Sequence, residues 1–339
     1  MAEPPSLFIG DLHGGGLVLS WRCGSQCRHC LYGCGPHRQD GAPADEAAWE
    51  ALLDHLARIA PRAVWHIGGG EPFLHLQRLK STVAGLARRR LRLEYVETNA
   101  SWVQDQAQAE RVLGELRELG LGTVLVSLSP FHAEFVPHGR TRLLIRAAEN
   151  VLPGGAFVWI PEFAHDLAEV DPQAKLSWRA FLAGRPAGYA LALADRYYLT
   201  TGGRAGRYLA AHGRSFPWEK VAGRAPCRER LADTSHFHVD GEGWFVPGLC
   251  AGLGLPVRRL PGALDLAGFP VLRFLARADL GGLVEEAARQ GFRPLSGYAS
   301  PCDLCTHVRL FLFQTRRAAC PELQPAGFYD PRSLPGYGA

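Results

Sequence analysis

Cys23, Cys27 and Cys30 stand in the order C-x3-C-x2-C within LVLSWRCGSQCRHC. Three thiolates this close can hold one cubane iron–sulfur cluster and leave its fourth iron without a protein ligand. An iron left open is a place for a small molecule to bind, by the logic that separates catalytic from closed metal sites. A structural zinc is the competing use of the same thiols, with Cys34 or His29 as fourth ligand. A second group lies far downstream: Cys227 and Cys250, spaced C-x22-C, then a 51-residue gap, then the C-x2-C pair Cys302 and Cys305. Four thiolates suit an iron–sulfur cluster or a four-cysteine zinc ribbon. About 190 residues without cysteine separate the two groups, which reads as two metal sites on two structural units. Cys34 is read as a buried, inert thiol, and Cys320 is left over.

Bulk properties are those of an ordinary globular protein. The chain has 339 residues, 47% hydrophobic and 21% charged, enough for one large domain and a small one. A net charge of +4 is too small to argue for nucleic acid, and many arginines fall on predicted helix faces. No apolar run approaches the ~20 residues of a membrane span. The opening MAEPPSLFIGD lacks the basic and apolar regions of a secretion signal, so the expected location is the cytoplasm. Cytoplasmic thiols are kept reduced, which favours metal or catalysis over disulfides.

The elements that must hold these cysteines alternate. Strands are predicted at Leu17–Ser20, Val64–Ile67, Leu93–Val96, Val124–Leu128 and Phe157–Ile160, with a sixth at Tyr189–Ala194. Between them run helices with apolar faces: Trp49, Leu52, Leu53, Leu56 and Ile59 after a capping Asp45; Leu76, Leu79, Val83 and Leu86; and Val112, Leu113, Leu116 and Leu119, stopped by Gly120. Such alternation implies a parallel sheet with helices outside. Six units are too few for a full barrel, so the fold class is α/β, an open partial (β/α)6 barrel that binds ligands at the carboxyl ends of its strands. Near residue 205 the pattern changes. A hairpin is predicted from His236–Val239 through Asp240-Gly241 to Gly243–Val246, then a helix at Leu280–Arg289. The expected organisation is a barrel over 1–205, a small auxiliary-cluster domain over 206–320 and an irregular tail over 321–339.

The cysteine triplet after the first strand resembles that of the radical S-adenosylmethionine (SAM) superfamily, and further motifs follow in the family's order. His66-Ile67-Gly68-Gly69-Gly70-Glu71-Pro72 is similar to the GGE motif. Glu97-Thr98-Asn99 resembles the TN-type strand end. Ser127-Leu128-Ser129 sits where the family contacts ribose and carboxylate. Gly203-Arg204-Ala205 resembles a GRA segment. The resemblance implies a [4Fe–4S] cluster on Cys23, Cys27 and Cys30, and SAM bound by Gly69, Gly70, Glu71, Thr98, Asn99, Ser127, Ser129 and Arg204. Glycines let backbone approach the ligand, and a carboxylate attracts the methionine ammonium. The family's reaction is reductive cleavage of SAM to a 5′-deoxyadenosyl radical that takes a hydrogen atom from substrate, with a flavodoxin- or ferredoxin-type electron donor.

The late cysteines, with His238-Val239-Asp240-Gly241-Glu242 before Cys250, resemble the shortened auxiliary-cluster ("twitch") module of such enzymes. That implies a second [4Fe–4S] cluster on Cys227, Cys250, Cys302 and Cys305. Phe131-His132-Ala133-Glu134-Phe135-Val136 and Thr98-Asn99-Ala100-Ser101-Trp102 resemble stretches of radical SAM peptide epimerases. The expected reaction is therefore a Cα epimerisation-like change of a peptide. The chain departs from that pattern in Val246-Pro247-Gly248-Leu249-Cys250, where a single cysteine stands in place of a pair. Cys320 is then the candidate to return a hydrogen atom. The alternative is an oxidation, a dehydrogenation or ring closure on a peptide or small molecule, with the second cluster as electron acceptor. A leader-peptide-binding domain is not expected in the short stretch before Cys23, which weakens a leader-dependent peptide substrate without excluding a separate recognition protein. His132, Glu134, Tyr197, Tyr198 and Trp244 are weaker candidates for the substrate space. A reading from another class is a non-catalytic zinc protein that binds a partner.

Overall fold

A computed structural model describes residues 6–337 apart from 224. The chain is mixed α/β and built on an eight-stranded sheet in which parallel pairing dominates. Its strands are β2 (Gly14–Val18), β3 (Val64–Gly68), β4 (Arg92–Thr98), β5 (Val124–Val126), β6 (Ala156–Val158), β7 (Phe237–Asp240), β8 (Trp244–Pro247) and β9 (Leu255–Pro256). Their order is β6-β5-β4-β3-β2-β7-β8-β9. Strands β2 to β6 run parallel, and β7 joins parallel to β2 on its other side. Within this sheet β8 and β9 are added antiparallel. A separate ribbon pairs β1 (Ser6–Ile9) with β10 (Gly262–Asp265).

Where both faces of the parallel sheet are covered its strands are apolar: Leu17, Trp65, Ile67, Val96, Val124 and Val126 are fully buried. Helices Glu46–Ile59, Leu76–Arg88, Gln106–Glu118 and His138–Val151 form the outer layer. Asp45 and Asp105 cap two of them by accepting from Ala48 N (2.7 Å) and Gln108 N (2.8 Å). Gly120, with φ +117, provides the expected stop after the third.

Two local expectations change. The first strand begins earlier than Leu17 and includes Gly14–Gly16, residues that carry no strand signal. Their lack of side chains is what the sheet needs. A Cβ on Gly15 would lie 2.6 Å from the Trp65 and Phe237 rings, and one on Gly16 would lie 2.4 Å from His238 and 2.5 Å from His66. The expected sixth strand at Tyr189–Ala194 is instead part of the helix Tyr189–Arg196. Alternating Tyr189, Leu191 and Leu193 imitate a strand. Ala190, Leu193, Ala194 and Tyr197, the residues that are buried, form an i, i+3, i+4, i+7 stripe, and three alanines favour helix. The sixth parallel strand is β7.

The hairpin β7–β8 forms where predicted. Asp240 Oδ1 accepts from Glu242 N and Trp244 N, both at 3.1 Å, and Gly243 takes φ +83. The final segment is irregular but not loose. Phe328, Tyr329, Leu334 and Tyr337 are buried, and the Tyr337 hydroxyl donates to Asp303 at 2.8 Å. Among the described residues no helix is long and apolar enough to cross a membrane.

Candidate functional site

The motif residues meet at the carboxyl ends of β2 to β5, around a cavity of about 390 Å³. Cys23, Cys27, Cys30 and Cys34 line it from the loop after β2. Gly69 and Gly70 line it after β3, Thr98 and Asn99 at the end of β4, Ser127 after β5, and Arg204 from a helix start. The cysteine loop is locked to the glycine motif by backbone. Gly70 N donates to Ser20 O (3.0 Å) and Glu71 N to Arg22 O (2.9 Å). A Cβ on Gly70 would lie 1.9 Å from Arg22 O, so glycine is required there.

Around the sulfurs, Cys23 Sγ accepts from Ser25 N at 3.3 Å and from Asn99 Nδ2 at 3.4 Å. Burial pushes the Cys23 thiol up to about 12 and the Cys27 thiol well above the ordinary range. A hydrogen bond with Cys34 pulls Cys30 well below that range. His29 lines the same cavity and stacks on Phe131, and its buried Nδ1 has no partner among the described residues.

Three of the expected SAM contacts are engaged elsewhere. Arg204, only 6% exposed, donates to the carbonyls of Cys27 (2.9 Å), Cys34 (2.7 Å) and Ser333 (3.4 Å). It braces the cysteine loop by two of those carbonyls while lining the cavity. Glu71 is enclosed and does not line the cavity. It accepts from Thr98 Oγ1 (2.9 Å), Asn99 N (2.8 Å) and Phe73 N (3.2 Å), and so ties the end of β3 to the end of β4. Burial raises it to about 7 against the pull of those donors. Ser129 caps the short helix Pro130–Ala133 and shares a 2.7 Å hydrogen bond with His132 Nδ1, away from the cavity wall.

The carboxyl that does face the cavity is Glu97. Burial first, and then the neighbouring Glu71, push it up to about 7. Its side chain is 34% exposed, and its Oε1 lies 3.8 Å from His66 Nε2. The sequence places Glu97 in the same motif as Thr98 and Asn99, but nothing in the chain separates its role from that of Glu71. Of the weaker candidates, His132, Tyr197 and Tyr198 line the cavity, Glu134 is paired with Arg28 at 2.9 Å, and Trp244 lies outside it.

The four late thiols line a second cavity of about 250 Å³. Cys227 opens the helix Cys227–Ala232, Cys250 follows β8, and Cys302 and Cys305 sit in the first turn of Pro301–Arg316. They surround a space rather than a point: among the described residues no three His, Cys, Asp or Glu side chains are grouped to hold one metal ion. Two cations attend the thiols. Arg230 donates to Cys302 Sγ at 3.1 Å. Arg309, 4% exposed, lines the same cavity and donates to Ala251 O (2.8 Å) and the Tyr329 hydroxyl (2.9 Å), while its Nε has no partner among the described residues. The donor set fits an anionic sulfur-ligated cluster: thiolates, enclosed volume and buried guanidinium together. Leu31 lines both cavities. Cys320 is buried and lines neither.

No protein-family profile and no curated protein matches the chain. Among solved structures, BtrN in complex with AdoMet and 2-DOIA overlaps 71% of this chain and 75% of its own, at 15% identity and a TM-score of 0.37. Coproporphyrinogen III oxidase (HemN) from Escherichia coli, described as a radical SAM enzyme, overlaps 88% and 89% at 12% identity and a TM-score of 0.37. Native anSMEcpe with bound AdoMet and a Cp18Cys peptide overlaps 43% and 42% at 19% identity and a TM-score of 0.30. Overlaps this loose do not define a shared fold.

Proposed function

We propose that this chain is a radical SAM enzyme with a second, four-cysteine iron–sulfur site, and that it oxidises its substrate. The observation that carries the reading is convergence. Cys23, Cys27, Cys30, Gly69, Gly70, Thr98, Asn99 and Ser127, spread over a hundred residues and four strand ends, line one cavity. In this reading Cys23, Cys27 and Cys30 hold a [4Fe–4S] cluster, and Cys227, Cys250, Cys302 and Cys305 hold another. When bound, these groups supply the chemistry: the first cluster with SAM a 5′-deoxyadenosyl radical that removes a substrate hydrogen atom, the second an electron acceptor.

The chain's own residues position and enclose. Gly69 and Gly70 allow close backbone approach to the methionine end of SAM, and Thr98, Asn99 and Ser127 offer short polar groups to the rest. Leu128, Ile160 and Phe163 give the cavity apolar walls that keep water from a reactive intermediate. Arg204 holds the cysteine loop closed by its carbonyls. Epimerisation needs an S–H facing the substrate space, and Cys320 lies outside both cavities. The shared wall at Leu31 favours the oxidative outcome, on a peptide or a small molecule.

Anaerobic reconstitution tests this directly. The expected protein is brown, holds about eight irons per chain and forms 5′-deoxyadenosine from SAM when reduced. Candidate substrates turned over in deuterated water should lose two hydrogens without taking up Cα deuterium. A colourless zinc protein that leaves SAM intact would overturn the proposal, and Cα deuterium without net oxidation would return it to epimerisation.

A further inference from the structure

Cys34 lies four residues past Cys30 and is 3% exposed. Its Sγ donates to the carbonyl of Gly69 at 3.5 Å, and it shares the cavity wall with Cys30. It therefore stands between one of the three motif thiols and the first glycine of the segment proposed to receive the methionine end of SAM. All four thiols, Cys23, Cys27, Cys30 and Cys34, line the same cavity. The loop carrying Cys34 is fixed as firmly as the loop carrying Cys27, because Arg204 donates to both their carbonyls, at 2.7 and 2.9 Å.

We propose that Cys34 is a fourth thiolate ligand of the first cluster while SAM is absent, and that SAM binds by displacing it. The inference rests on the radical SAM reading of the first site and goes beyond it, since that reading leaves the fourth iron open. The exchange balances. The Cys34 sulfur leaves iron, and the methionine nitrogen and carboxylate take its place. The proton lost when the methionine ammonium becomes a ligating amine is the proton the departing thiolate gains. The thiol so formed has a seat, the Gly69 carbonyl it faces in this structure. Such a ligand protects the cluster when no SAM is present and sets a threshold for SAM entry. The chain's affinity for SAM is lowered by the fraction of sites Cys34 occupies.

The test compares anaerobically reconstituted wild type with Cys34→Ala and Cys34→Ser. Oxidation with ferricyanide strips iron from a cubane held by only three cysteines and leaves a [3Fe–4S] cluster with its own paramagnetic resonance signal. Wild type should resist this conversion, and Cys34→Ala should undergo it unless SAM is added. A Cys23→Ala/Cys27→Ala/Cys30→Ala variant gives the contribution of the second site, to be subtracted. SAM binding followed by the change in the reduced cluster's resonance should tighten roughly tenfold in Cys34→Ala. Serine, nearly the size of cysteine, guards against a packing defect and should give an intermediate result. Equal conversion and equal SAM affinity in wild type and both variants would overturn the role of Cys34 and leave the radical SAM reading standing. If wild type assembles no cluster on the first site, that reading itself fails.

Discussion

A side chain on Gly203 would place its Cβ 2.1 Å from the backbone oxygen of Leu31 and 2.7 Å from that of Cys30. Leu31 in turn forms part of the wall of both cysteine-lined cavities. The two sites are thus divided by a layer that depends on one glycine, held at φ +56. Gly203→Ala meets both penalties at once, a backbone clash and a left-handed conformation, and should cost about 1–3 kcal/mol. Because the strain falls on the segment joining the cavities, iron retention should drop at both sites. Thermal unfolding and iron analysis of the variant check this. A loss confined to one site would argue against a shared wall.

Glu71 and Glu97 predict an unusual pH dependence for the metal-free protein. Both are raised from about 4.5 to about 7, mainly by burial. The folded chain therefore binds their protons more tightly than the unfolded chain. Stability is fully present below about pH 4.5 and is lost as pH climbs toward 7. The contribution of Glu97, whose side chain is one-third exposed, is about 1–2 kcal/mol after discounting for solvent. Glu97→Gln should flatten the decline between pH 5 and pH 8 in urea denaturation. An unchanged slope would show that Glu97 keeps an ordinary carboxylate pKa.

What the sequence reveals of this site is its local chemistry. Thiols at short spacing, glycines followed by a carboxylate and the Thr98-Asn99 pair are each readable because their meaning depends on neighbours a few residues away. What it hides depends on packing across the sheet. Glu71 and Glu97 are both acidic residues at strand ends, and only the three donors that close on Glu71 turn it into a structural tie and leave Glu97 facing the cavity. Leu31 has no chemical signature at all. The glycine run of β2 reads as loop until Trp65, His66, Phe237 and His238 are seen to fill the space above it. Tyr189–Arg196 shows the reverse error, an alternation of large apolar residues on a segment whose buried stripe is helical.

Asn99 offers a test that does not require knowledge of the substrate. Its amide donates to Cys23 Sγ at 3.4 Å and lies 3.5 Å from Ser25 Oγ, while its side-chain oxygen accepts from Ser101 N at 2.9 Å. Hydrogen bonds to cluster sulfurs raise the reduction potential. Asn99→Ala should therefore lower the potential of the first cluster and weaken iron retention, by about 1.5–3 kcal/mol for a bond to a charged sulfur. Potentiometric titration followed by paramagnetic resonance measures this. A potential equal to that of wild type would mean that the amide does not reach the sulfur once the cluster is in place.

Cys302→Ala separates the two sites. Arg230 reaches Cys302 Sγ at 3.1 Å, and removing that thiol takes from the half-buried guanidinium its sulfur partner in a space shaped for four sulfurs. The second site should then fail to hold a cluster, and iron should fall from about eight to about four per chain. The first site shares Leu31 with the second but none of its thiols. The remaining iron should still show a SAM-dependent change in its resonance spectrum. Loss of two hydrogens from substrate should disappear with the second site, since the radical then has no acceptor in the chain. If oxidation persists in a variant shown to hold only four irons, the second site is structural and the oxidant lies elsewhere.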